Sequence, residues 1–247
     1  MNRATKATLS TLTLLSLAAL TACGGDSGSD ADSAEKPAAT ASAEKQATAE
    51  EQLRQMVITK ADVSGMDVSD ADVSNSDNSE FVFAKSQQEV TVEKPVCAPL
   101  AYAMNQLPLG EPQADLTRSV SKGLNDPFTY VMLAAYESGQ AESALTDLSK
   151  AVDACAGGFT AKANGNTSAY ESVTAEKPVA EAGEESLAFR STLTFQGVTH
   201  TVHTQAVRSG DTLAVYFSVD GMAIANARPS DAKLSPTVVK AQNAKLG

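Results

Sequence analysis

The run PFTYVMLAAYE, residues 127–137, decides the fold class. Phe128, Tyr130, Met132, Ala134 and Tyr136 occupy its even positions, and Val131, Leu133 and Ala135 its odd ones. Successive side chains of a strand point to opposite faces, so a run apolar at both parities describes a central strand covered on both sides. The next segment, Gly139 to Cys155, changes period: Ala141, Ala144, Leu145, Leu148, Ala151, Val152 and Cys155 recur at helical spacing. Ser138 is placed to cap that helix and Gly157-Gly158 to end it. Further on, Ser186 to Phe195, Val198 to Arg208 and Thr212 to Val219 are β-rich, separated by the hairpin signals Gln196-Gly197 and Ser209-Gly210-Asp211. Pro236 to Leu246 reads as a terminal helix with Val238, Val239 and Ala241 facing inward.

Upstream of the decisive run, Glu51 to Lys60 reads as a short helix with Leu53, Met56 and Val57 on one face, and Thr59 to Asp62 has capping-box form. Asp67 to Glu80 reads as a solvated acidic loop: counted from Asp70, it lacks the Gly at the sixth place and the Glu at the twelfth that a calcium-binding loop needs. Phe81 to Lys85, Glu89 to Glu93 and Leu116 to Ser121 are strand candidates, and Cys97-Ala98-Pro99 opens a helix to about Leu107. Strands, then a helix, then a long meander, without βαβ alternation, predict an α+β fold: an antiparallel twisted sheet, its C-terminal part a three-strand meander, packed by two or three helices.

The N-terminus carries an address. Arg3 and Lys6 precede a short apolar run, Leu9 to Leu20, about half the ~20 residues a spanning helix needs. Leu20-Thr21-Ala22-Cys23 then resembles the bacterial lipobox, which implies lipid on Cys23 and removal of residues 1–22; a plain cleaved export signal is the alternative. Gly24 to Gln52 contains no Val, Ile, Leu, Met or aromatic residue, so it cannot bury enough apolar surface to offset chain entropy and reads as a disordered tether. The expected organisation is a signal peptide over 1–22, a lipidated Cys23 with its tether over 23–52, and a single α+β domain over 53–247.

Composition narrows the function. The 247 residues carry 19 Lys+Arg against 30 Asp+Glu, a formal charge of -11, which argues against nucleic acid as a partner. The same charge repels anionic lipid surfaces, so membrane association is expected through the N-terminal lipid alone. With Cys23 acylated, Cys97 and Cys155 remain, most simply as one disulfide of an exported domain. Zinc is the rival, but His200 and His203 lie three apart in a strand and point to opposite faces, so no metal site and no cofactor are expected. No Gly-x-Ser-x-Gly elbow and no phosphate loop occurs, so no enzyme is expected.

Three features together resemble a known group: the lipobox with its polar tether, the segment Ile58 to Gly65, and the helix ending Leu148 to Cys155 before a hairpin sheet. They resemble actinobacterial lipoproteins related to the extracellular sensor domain of PknH-type receptor Ser/Thr kinases. The resemblance implies a ligand- or partner-binding α+β domain with a cleft over a curved sheet. The expected function is a membrane-anchored extracytoplasmic lipoprotein with a non-catalytic, sensor-like domain that binds a small molecule or an envelope protein; the alternative is an envelope structural or protein-interaction lipoprotein without a small-molecule ligand. Such kinase sensors have two disulfides, and only one pair is available here. Candidate ligand-binding residues are His200 and Arg208, which share strand parity, with Arg190 on the neighbouring strand; the three are expected to form a surface recognising an anionic group. The competing reading is a satisfied core histidine and two arginines paired with nearby carboxylates.

Overall fold

The strand read from residues 127–137 is the fourth of a ten-stranded sheet, and its two faces divide the molecule. The computed structural model describes residues 47–71, 84–195 and 197–247. The export signal, Cys23, the tether up to residue 46, Asp72 and Asp77, residues 81–83 of one predicted strand, and Gln196 lie outside the described residues. In chain order the elements are α1 (Ala49–Met56), β1 (Asp67–Asp70), β2 (Thr91–Val92), α2 (Ala98–Ala103), β3 (Ala114–Ser121), β4 (Phe128–Ala135), α3 (Gln140–Ala154), β5 (Phe159–Ala163), β6 (Asn166–Glu176), β7 (Glu185–Phe195), β8 (Val198–Ser209), β9 (Thr212–Val219), α4 (Gly221–Ala225), β10 (Ser230–Ala232) and α5 (Pro236–Leu246). The sheet order is β1-β3-β4-β9-β8-β7-β6-β5-β2. All its pairings are antiparallel except that of β10, which runs parallel to β8. The α+β class and the meander β7-β8-β9 are as the sequence predicts.

The two parities of β4 feed two cores. Met132, Ala134 and Tyr136 join the α3 stripe, Ala141, Ala144, Leu145, Leu148, Ala151 and Val152, together with Phe189, Val202, Ala206, Val215 and Phe217 of the meander. Val131, Leu133 and Ala135 face the opposite core, with Leu53 and Val57 of the α1 region, Val207, Tyr216, and Val238 and Val239 of α5. Helices on both faces explain why the strand cannot afford a polar parity. Cys97 and Cys155 are joined in a disulfide, Cα to Cα 6.0 Å, tying the short 3₁₀ turn Pro95–Cys97 that leads into α2 to the C-terminus of α3. In the chain-entropy account, closing a 58-residue separation stabilises by about 4 kcal/mol.

Several boundaries differ from expectation. α1 begins at Ala49, inside the polar stretch read as tether, because Thr48 and Glu51 form a capping box. It stops at Met56, not at Lys60, because Gln242 of α5 takes the backbone on either side of Val57: Ile58 N–H donates to its Oε1 (2.8 Å) and its Nε2 donates to Met56 O (2.9 Å). Asp67 to Asp70, expected in a loop, instead form the edge strand β1 against β3. Glu89 to Glu93 shrinks to Thr91–Val92 beside a 3₁₀ turn at Gln87–Glu89, and Ala84 and Lys85 are not in a strand. The helix from Cys97 ends at Ala103. Ser138 does not cap α3; Gly139 does, at φ +80°, since the reversal out of β4 needs the left-handed backbone that glycine adopts without cost. On α5, Ala241 is only half-buried, and the amides of Gln242 and Asn243 fill the inner face beside Val238 and Val239.

Candidate functional site

Between β6 and β7 the chain crosses the α5-side face of the sheet as a strap, residues 177–184. Gln205 of β8, fully buried, fixes it: Val179 N–H donates to its Oε1 (2.8 Å) and its Nε2 donates to Ala180 O (2.7 Å). Asn243 Nδ2 adds a second donor to Ala180 O at 3.2 Å, and its Oδ1 accepts from Tyr216 OH at 2.6 Å. Burial pushes the Tyr216 hydroxyl far above its ordinary pKa, so it remains a donor. A buried amide offers one acceptor and two donors, which suits it to clamp a backbone that makes no ladder of its own.

The strap forms one wall of a cleft of about 370 Å³, lined by Glu176, Lys177, Val179, Ala188, His203, Thr204, Lys233 and Leu234. The other wall is the segment that leaves β10. His203, 5% exposed, lies at the centre of the cleft's polar groups. Its Nδ1 is 2.7 Å from Glu176 Oε2, and its Nε2 is 2.6 Å from Asp231 Oδ1 and 2.9 Å from Lys233 Nζ. Arg190 holds the other oxygen of Glu176 at 3.1 Å, and Lys233 holds Asp231 at 3.0 Å. The hydrogen bond from His203, and then that from Lys233, hold the Asp231 carboxyl below its ordinary pKa. The cleft thus joins apolar walls, Val179, Ala188 and Leu234, to a short chain of alternating charges. A hollow of about 310 Å³ lies elsewhere, along Gln87, Gln106 and Glu111, but there the Gln87 amide is committed to Pro108 O (2.7 Å) and Gly110 O (2.8 Å).

The structure does not bring His200, Arg208 and Arg190 together. His200 and Arg208 share a face of β8 but stand eight residues apart, about 27 Å along a strand. Arg190 pairs with His203, so it belongs to the opposite face. His200 is buried at 3%, with Nδ1 2.8 Å from Ser230 Oγ, and desolvation, opposed by the Asp220 carboxylate, lowers its pKa. A serine beside a histidine is a nucleophile's raw material, but neither residue lines the cleft. Arg208 is spent on Glu184 and on Glu185 (3.1 Å) where the strap rejoins β7. The competing reading, a satisfied histidine and two paired arginines, is the geometry found.

What the sequence reading missed is the other half of the site. Glu176 ends β6, a strand left unread although Asn164-Gly165 announces its hairpin. Asp231 and Lys233 flank Ala232, and Ser230 to Leu234 alternates exposed and buried residues in a way that marks a short strand.

No protein-family model matches the chain, and no curated protein matches it. Among solved structures, the crystal structure of the extracellular domain of PknH from Mycobacterium tuberculosis is similar at 11% identity, over 81% of this chain and 95% of that one, with a TM-score of 0.49. At that identity and score, the likeness is a distant resemblance in fold and says nothing about the cleft.

Proposed function

We propose that this chain is a lipid-anchored extracytoplasmic protein whose sensor-like domain binds a ligand without transforming it, in the cleft over His203. The observation that carries the reading is the Cys97–Cys155 bridge in a chain whose Leu20 to Cys23 resembles a lipobox: disulfides persist in oxidising compartments, so the bridge and the motif support the same location outside the cytoplasm. No described helix is long and apolar enough to cross a membrane. The cleft supports the binding half of the reading. Its volume of about 370 Å³ falls in the range of small-ligand sites, which combine apolar walls with a few convergent polar groups. A second reading, an envelope protein that binds other proteins, draws on Leu124, 82% exposed between β3 and β4.

The test has two arms. Cys23→Ala is expected to move the protein from the membrane to the soluble fraction, and retention in the membrane would exclude the anchor. Native mass spectrometry of protein released gently from membranes is expected to show a bound small molecule that Ala188→Phe, by filling the cleft, removes. An adduct equally retained in Ala188→Phe would exclude the cleft as its site.

A further inference from the structure

The chain has two histidines, and both stand on β8 holding side chains of β10: His200 against Ser230, and His203 against Asp231. We propose that β10 is fastened to β8 by a proton-dependent clasp at His203, closed on Asp231 when the ring is an imidazolium and handed to Lys233 when the ring is neutral. The proposal stands whether or not the cleft takes a ligand.

The chemistry follows from what each partner can do. A carboxylate only accepts hydrogen bonds. Nδ1 of His203 faces Glu176 at 2.7 Å, while Nε2 stands between an acceptor, Asp231 Oδ1 at 2.6 Å, and a donor, Lys233 Nζ at 2.9 Å, so Nε2 serves Asp231 only when it carries hydrogen, which together with Nδ1–H makes the ring an imidazolium. Losing one proton to solvent leaves a single N–H. Glu176 keeps it: its second oxygen is held by Arg190 at 3.1 Å, and its side chain is only 26% exposed, against 57% for Asp231. Nε2 then presents a lone pair to the Asp231 carboxylate, two acceptors facing each other, while Lys233 Nζ at 2.9 Å stands ready to donate. Asp231 keeps its ion pair with Lys233 but loses its side-chain bond to β8.

The charged groups around the ring come from every neighbouring element. Glu176 on β6 and Asp231 on β10 favour the imidazolium, whereas Arg190 on β7, Lys177 on the strap and Lys233 beyond β10 oppose it. β10 is sensitive to the loss because it has three residues and a single parallel ladder. Lys233 and Leu234, next in the chain, line the cleft, so the clasp also sets the position of that wall. His200 supplies an internal control, because burial disfavours its charged form.

The experiment joins ring nitrogen-15 spectroscopy to amide hydrogen exchange on the intact chain, from about pH 5 to about pH 8. His203 is expected to pass from imidazolium to the Nδ1–H tautomer. Exchange at Asp231 to Lys233, taken as a ratio to Val215 to Phe217 of β9 in the same sample, is expected to rise about three- to fivefold, the loss of one exposed charge-assisted bond. In His203→Gln and in Asp231→Asn the ratio should stay flat; the Asn amide both donates and accepts, so it serves either state of the ring. Asp231 is exposed, so its variant keeps the test valid where His203→Gln fails to fold. An Nε2–H tautomer at the upper pH, a flat ratio in the parent chain, or the same rise in Asp231→Asn would overturn the clasp.

Discussion

Gln205 illustrates what a single residue contributes on this sheet. It replaces the backbone ladder that the strap lacks, and its side chain is wholly enclosed. Gln205→Leu keeps the volume and strands Val179 N–H, whereas Ala180 O retains Asn243. The expected cost is about 1–3 kcal/mol in urea unfolding, the desolvation penalty of a buried unpaired donor. Asp231→Asn probes a charge. Asp231 has its pKa lowered in the fold, so its contribution is present above the ordinary carboxylate range and fades as pH falls through its folded value. The stability difference between parent and Asp231→Asn should therefore be present above the ordinary carboxylate range and shrink on acidification below it; a difference that grows on acidification would contradict the pairing. At this scale the sequence was only half legible. Composition exposes His200, Arg190 and Arg208 as rare cations on an acidic chain, but the face each one takes depends on register, and a parity shared along one strand does not carry across to the next. In the sequence His203 stands out only as a metal-ligand candidate beside His200, because its partners come from β6 and from the chain after β9, 27 and 28 residues away.

Among the elements, those with one strong apolar period were readable and those held by backbone geometry were not. β4, α3 and the meander follow from periodicity alone. The hairpin β5–β6 does not, since β6 alternates small and polar residues such as Ser168, Ser172 and Thr174; its signal is the Asn164-Gly165 turn, where both residues have positive φ, +49° and +73°. The apolar period starts α1 two residues later than the structure does, because its first turn exposes polar side chains and only Leu53 is enclosed. Thr48→Ala should cost about 1 kcal/mol and raise exchange in the first turn of α1. The strap depends on Gly183, at φ +62°, where a Cβ would collide with the Arg208 carbonyl. Gly183→Ala should destabilise by at least about 2 kcal/mol, and a neutral result in denaturant unfolding would show that the strap is free to shift.

For the whole molecule, the sheet is the common reference: helices of both ends of the described chain cover one face, and the disulfide-linked pair α2 and α3 covers the other. Its two edges are short, four residues in β1 and two in β2, and Asp67 and Asp70 bracket the longer one, which guards against edge-to-edge association. The bridge has a mechanical side as well. A chain held at one end, as proposed for Cys23, bears tension whenever something pulls on the other, and a covalent cross-link decides how much chain can pay out. With Cys97 and Cys155 joined, the 58-residue separation between them contributes almost nothing to the stretched contour. Pulled from its two ends, the oxidised chain should extend about 200 Å less than the reduced one, a difference a single-molecule force trace with and without reductant would read directly.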